Sequence, residues 1–274
     1  MIALTIAGSD SGGGAGIQAD IKTFQELEVF GTTAITALTA QNTLGVYDVL
    51  DVTPAFLKQQ LDAVLADFNV KAIKTGMLFS AELIEVVAKI VGKYKNIPLV
   101  VDPVMIAKGG ESLLQEQAVE ALRTKLLPLT LICTPNIPEA EVLTGMTIHN
   151  EKDIEQAARK ILGMGVQYVV MKGGHLDGEF STDTVYWTDG YFTMKTPRVD
   201  TKDTHGTGCT FSAAITAQLA KGLSIEDAII EAKKFIHLAI SNPLSIGHGH
   251  GHGPTNHFAY KRTLGNCEVI VYES

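Results

Sequence analysis

The chain has 274 residues, 46% of them hydrophobic and 19% charged, with a net charge of −8. This is enough apolar material for a large core and too much for a disordered chain. The acidic balance excludes a general nucleic-acid binder, which needs a basic face, and no apolar run reaches the roughly 18 residues of a membrane span. Residues 1–7 lack a basic segment and are too short an apolar run for a signal peptide. Leu4-Thr5-Ile6-Ala7 reads as a buried strand, followed by the glycine-rich Gly8–Gly16 and a helix. Thr32 to Thr53 reads as a β-rich pair around Asn42-Thr43-Leu44-Gly45. Leu57, Leu61, Val64, Leu65 and Phe68 keep helical spacing. Ala72–Thr75, Leu99–Val101, Leu131–Thr134 and Tyr168–Met171 are further short strands, with a helix through Ile154, Ala157, Ala158, Ile161 and Leu162. Thr182 to Thr196 alternates around Asp189-Gly190, a hairpin signal. Strand and helix alternating this often predict an α/β fold, a mostly parallel sheet covered on both faces. No repeat, linker or composition break appears, so residues 1–274 are read as a single domain. Cys133, Cys209 and Cys267 lie far apart without a Cys-x-x-Cys pair, which favours a reducing compartment, the cytoplasm.

Ligands of such sheets sit beyond the carboxyl ends of the strands. The first such end, Gly8-Ser9-Asp10-Ser11-Gly12-Gly13-Gly14-Ala15-Gly16, has neither dinucleotide spacing nor the Gly-Lys-Ser/Thr of a phosphate loop. It is a pliant loop at a helix start, with Asp10, Gly12 and Asp20 as candidate ligand contacts, or a turn that only packs closely. Thr204-His205-Gly206-Thr207-Gly208-Cys209-Thr210 opens a helix of small residues, so its N–H groups can face an anion; a tight turn before a close-packed helix is the alternative. Asn136 and Glu139 follow one strand with a spacing that suits the water shell of magnesium, and also suits a helix cap. Lys172 follows the next strand and Asp102 another. By topology these groups meet at one edge, with the mix of charges that metal-bridged phosphates require.

The sequence resembles the ribokinase-like superfamily, whose Gly-x-Gly-Asp anion motif reads here Gly206-Thr207-Gly208-Cys209. Cysteine in place of that aspartate marks the hydroxymethylpyrimidine and phosphomethylpyrimidine kinases. Residues 7–20, 36–43, Gly76-Met77, Asp102-Pro103-Val104-Met105, residues 134–139, 171–175 and 205–210, and the ending Gly251-His252-Gly253-Pro254-Thr255-Asn256-His257-Phe258 match that family in order. The resemblance implies a three-layer α/β/α sandwich with a small β-rich flap. It also implies two ATP-dependent phosphoryl transfers with Mg²⁺, to the hydroxymethyl group of an aminopyrimidine and then to its monophosphate.

In that family Gln41 would read the pyrimidine. A carboxamide accepts from the 4-amino group and donates to the ring nitrogen beside it. Met77 would line the ring, though a methionine there is equally a core residue. Lys172, Asn136, Glu139 and Thr207 would meet the ATP phosphates, with Asp102 and Glu139 reaching the metal through water. Lys108 would cover the phosphates from a loop, or simply lie exposed. Gly206, Gly208 and Cys209 would form the catalytic cradle, and Asp10, Gly12 and Asp20 would lie on the substrate side. The histidines at 248, 250, 252 and 257 read as an extended family tail. Pyridoxal kinases share the fold, and those with this cysteine carry a second one where this chain has Ala107. Dimers are common in the family, and Thr32 to Thr53 is the expected contact.

Overall fold

The computed structural model describes residues 1–105, 116–173, 178–244, 246, 251–263 and 269–273. Lys108, Ala107, His248, His250 and Cys267 lie outside them. Ten strands form one sheet: β1 (Ile2–Asp10), β2 (Phe30–Gln41), β3 (Val46–Asp51), β4 (Ala72–Thr75), β5 (Leu99–Val101), β6 (Ile132–Cys133), β7 (Tyr168–Lys172), β8 (Phe180–Trp187), β9 (Gly190–Pro197) and β10 (Ile270–Glu273). Their order is β10-β9-β8-β7-β6-β5-β4-β1-β2-β3. The run from β7 to β2 is parallel throughout, while β8, β9, β10 and β3 are antiparallel to their neighbours.

The central strands are short and apolar because both faces are covered. Successive residues of β5 part company: Leu99 and Val101 join one hydrophobic cluster, and Val100 joins the other. The first cluster lies under α2 (Pro54–Asp67), α3 (Ala81–Val91), α4 (Glu116–Ala121), α5 (Ile137–Thr144) and α6 (Glu151–Leu162). The second lies under α1 (Gly16–Glu26), α7 (Thr207–Ala220) and α8 (Ile225–Ser241). The result is the expected three-layer sandwich of the ribokinase-like class.

The β-rich pair expected between Thr32 and Thr53 is present as β2 and β3: β2 starts as an inner strand parallel to β1, and from Ala37 onward it pairs antiparallel with β3. Every residue of β3 is exposed, so the flap projects from the sheet edge. In the β8–β9 hairpin the turn residues are Thr188 and Asp189, because Gly190 already pairs with Trp187. A Cβ on Gly190 would lie 2.7 Å from the Trp187 ring, which explains the glycine.

Candidate active site

Strands β1, β4, β5, β6 and β7 end on one edge, and the start of α7 lies over it. Gly206 caps α7 at φ +79°, a conformation costly for any residue with a Cβ. Such a Cβ would also collide with the Gly14 carbonyl, so glycine is required twice over. The two glycine-rich loops therefore touch. The first turn of α7 leaves backbone N–H groups without intrahelical acceptors, and of these the Thr207 N–H donates to the Thr204 carbonyl. A Cβ on Gly208 would sit 3.3 Å from Lys172 Nζ and 3.5 Å from Asp102 Oδ2. The bare backbone thus lies directly against the charged cluster.

That cluster is buried and over-supplied with carboxylate. Lys172 Nζ is 3.2 Å from Asp102 Oδ1 and 3.8 Å from Glu139 Oε2, with 16% of its side chain exposed. Thr134 Oγ1 donates to Asp102 Oδ1 at 3.3 Å. Ser212 Oγ lies 3.3 Å from Asp102 Oδ2 and 3.0 Å from the Gly208 carbonyl oxygen. Burial would depress the ammonium of Lys172, but the two carboxylates outweigh it and its pKa is raised. Glu139 is pushed up to about 7: burial raises it, Lys172 pulls it back and Asp102 raises it again. Asn136 and Glu139 form a reciprocal capping box at the start of α5, both hydrogen bonds being 2.8 Å. Asn136 Oδ1 therefore already has a donor, while Glu139 also faces the lysine.

Cys209 lies where both loops meet. The Gly16 N–H donates to its sulfur, and burial pushes the thiol up to about 11 against the nearby Lys74 cation. Lys74 was not visible as a site residue. Its ammonium is fully buried, 2.5 Å from Asp20 Oδ1 and 3.4 Å from the Cys209 carbonyl oxygen. Burial lowers its pKa, yet Asp20, Cys209 and Asp102 together raise it. A lysine within the short strand pattern Ala72-Ile73-Lys74-Thr75 was the available signal.

The aspartates of the substrate side are relocated by these contacts. Asp20 does not reach a pocket: its other oxygen accepts from Thr5 Oγ1 at 2.6 Å, so it is the buried counter-ion of Lys74. Asp10, 4% exposed, accepts from the backbone N–H groups of Gly12, Gly14 and Ala15 and lies 2.8 Å from His205 Nε2. Burial raises its pKa, but the His205 and backbone hydrogen bonds outweigh this and hold the carboxyl below its usual range. It shapes the first loop and ties it to the second, rather than offering a free carboxylate. Gly12 packs on the end of β2, where a Cβ would lie 3.4 Å from Asn42 Cα. Met77 packs on Gly8, whose absent Cβ would be 2.7 Å from the methyl group, and its carbonyl accepts from Thr36 Oγ1. The Gln41 carboxamide is placed with its Oε1 3.1 Å from Thr39 Oγ1 and its Nε2 3.4 Å from His205 Nε2. The tail closes the site's rim: His252 N–H donates to the Thr43 carbonyl and His205 N–H to that of Gly253. His257 is buried against Thr210 Oγ1 at 3.0 Å and is held down to about 4, chiefly by burial. That side chain is a structural pin.

Backbone donors, a buried cation and a carboxylate pair along this edge define the class, a small-molecule phosphotransferase of ribokinase-like fold. The sequence model of the phosphomethylpyrimidine kinase family matches residues 10–256, and the chain belongs to that family. It is 55% identical to the hydroxymethylpyrimidine/phosphomethylpyrimidine kinase of Bacillus subtilis, over 95% of this chain and 96% of that one. Identity to the protein of the same name from Haemophilus influenzae is 56%, over 94% and 97%. Among solved structures, the pyridoxal kinase of Staphylococcus aureus in complex with ADP superposes with a TM-score of 0.91 at 38% identity, covering 100% of this chain and 98% of that one.

Proposed function

We propose that this chain transfers phosphoryl groups from ATP to 4-amino-5-hydroxymethyl-2-methylpyrimidine and then to its monophosphate, in thiamine biosynthesis. One observation carries the reading: the open start of α7 lies against Lys172, Asp102 and Glu139 in a chain more than half identical to kinases of that name. The Gly206, Gly208 and Cys209 backbone donors would hold the charge of the transferring group, with the Thr207 N–H joining them once it leaves the Thr204 carbonyl. Lys172 would draw the ATP phosphates into the cluster, where they relieve its pairing with two carboxylates. Gln41 and Met77 would hold the ring. Lys108 would reach over the phosphates, a role resting on sequence alone.

Magnesium fits the cluster only with phosphate present. Among the described residues no group of three or more His, Cys, Asp or Glu side chains is arranged to hold a metal ion. Mg²⁺ is often held by one or two carboxylates completed by water and phosphate oxygens, and Asp102 with Glu139 supplies two. When bound it would neutralise charge on the phosphates. Asn136 would serve this pair by fixing the Glu139 carboxylate through the cap. With its pKa near 11, Cys209 is a neutral thiol before transfer. A neutral thiol takes no proton, so the role proposed for Cys209 falls to its deprotonated fraction, favoured by Lys74 and the Gly16 N–H, which accepts the alcohol's proton as the bond to phosphorus completes; a largely positional reaction needs no stronger base.

We also propose a homodimer through the flap. Leu44, Tyr47 and Leu50 are 63%, 66% and 68% exposed on or beside an edge strand, an apolar surface that a second copy would cover. Among the described residues no helix is long and apolar enough to cross a membrane. The free thiols Cys133 and Cys209 support a reducing, cytoplasmic location. The pyridoxal kinase neighbour supports a second reading, vitamin B6 phosphorylation on the same fold. Product analysis with the pyrimidine and pyridoxal supplied in competition decides between them. Pyrimidine mono- and diphosphates should dominate, and pyridoxal phosphate as the main product would overturn the assignment.

A further inference from the structure

The two ends of a carboxamide have the same shape, so its neighbours decide which way round it sits. Asp10 accepts three backbone N–H groups and remains an ionised acceptor, so the His205 Nε2 facing it at 2.8 Å must carry the proton. The structure places the Gln41 Nε2 3.4 Å from that same nitrogen, which sets donor against donor, and turning the carboxamide over brings its oxygen there instead. Thr39 gives the same answer independently. Its Oγ1 lies 2.9 Å from the Ser9 carbonyl oxygen, which only accepts, so its single proton is committed there. The Gln41 Oε1 that the structure places 3.1 Å away therefore meets a lone pair, and the same turn of the amide puts the NH₂ there instead.

We infer that Thr39 and His205 are positioning residues that lock the Gln41 carboxamide with its oxygen toward His205 and its nitrogen toward Thr39, and so set which rings the site accepts. This rests on the proposal that Gln41 reads the ring. Each Gln41 atom keeps one further hydrogen-bonding valence for a ligand. A ring carrying an amino group beside an unprotonated ring nitrogen matches that order, its amino group on the His205 side. A ring carrying an oxo group beside a ring N–H presents the mirror pattern. To bind it, the amide would have to turn over. It would then set NH₂ against the His205 N–H, and would leave its own oxygen facing the Thr39 lone pairs unless Thr39 releases Ser9. The discrimination therefore lies in the residues behind the glutamine as much as in the glutamine.

The test compares kcat/KM for 4-amino-5-hydroxymethyl-2-methylpyrimidine with that for its 4-oxo counterpart. Thr39→Val removes one of two locks and should narrow the ratio by about tenfold, the worth of one hydrogen bond, while KM for ATP stays put. Thr39→Ser keeps the oxygen and should keep the wild-type ratio. Thr39→Ala carries the same expectation as the valine where the latter does not fold. A wild-type ratio in the valine or alanine variant would overturn the lock. Gln41→Leu separates the two layers. If it leaves the ratio unchanged, Gln41 does not read the ring and the underlying proposal falls. If it collapses the ratio while Thr39→Val does not, only the lock is wrong.

Discussion

Replacing Lys172 by methionine keeps the stem and removes the cation between two buried carboxylates. At an effective dielectric constant of about 20, separations of 3.2 and 3.8 Å are worth roughly 5 and 4 kcal/mol before desolvation. Desolvation of the ammonium cancels much of that, and removing one partner of a buried pair typically costs about 3–5 kcal/mol. Protonation limits the loss, since Glu139 already titrates near 7 and would rise further without Lys172. The sign follows from linkage. A carboxyl whose folded pKa lies above its unfolded value stabilises the fold fully below the unfolded value, and this is lost as pH rises through the folded one. At pH 5.5 Glu139 is protonated in both proteins, so the variant loses only the Asp102 contact. At pH 8 it loses both. Urea unfolding should therefore give a deficit of about 2–3 kcal/mol at pH 5.5, increasing by a further kcal/mol or more at pH 8. ATP affinity should fall at least tenfold. A deficit that is the same at both pH values would refute the electrostatic account of the cluster.

Cys209 should be alkylated by iodoacetamide slowly at pH 8 and progressively faster toward pH 11, because burial keeps it protonated; full reactivity by pH 8 would contradict this. Cys209→Ala should lose most turnover with ATP affinity kept, since the backbone donors remain, and Cys209→Asp should retain part; a wild-type rate in the alanine variant removes the thiol from the mechanism. Leu50→Asp places charge on the exposed flap strand, and sedimentation should show a monomer where the parent chain is a dimer. A parent that is already monomeric would end the flap-dimer proposal.

Strand ends were legible where a brief apolar run is followed by an abrupt polar residue, as at Val101-Asp102 and Met171-Lys172. Period and punctuation carry that information locally. What the sequence hid are pairings across long separations. Asp20 and Lys74 are 54 residues apart, Asp10 and His205 are 195 apart, and nothing local marks either pair. Asp10 and Asp20 looked alike as carboxylates beside a glycine loop. They differ because one side chain folds back on its own loop's N–H groups and the other turns inward to a buried ammonium. Ser212 was missed for another reason: it reads as one more small residue of α7, and only its place one turn beyond Gly208 brings it to Asp102.

The central claim is that a single cradle serves both phosphoryl transfers, since the described residues offer only one glycine-opened helix start beside a lysine and a carboxylate pair. Gly208→Ala puts a methyl group 3.3 Å from Lys172 Nζ, where phosphate oxygens would meet the backbone donors. Time courses of mono- and diphosphate formation by this variant, under excess of each acceptor in turn, test the claim most directly. Both steps should slow by the same factor, within about twofold, a difference of less than half a kcal/mol. If one step collapses while the other keeps its wild-type rate, the two transfers do not share this cradle.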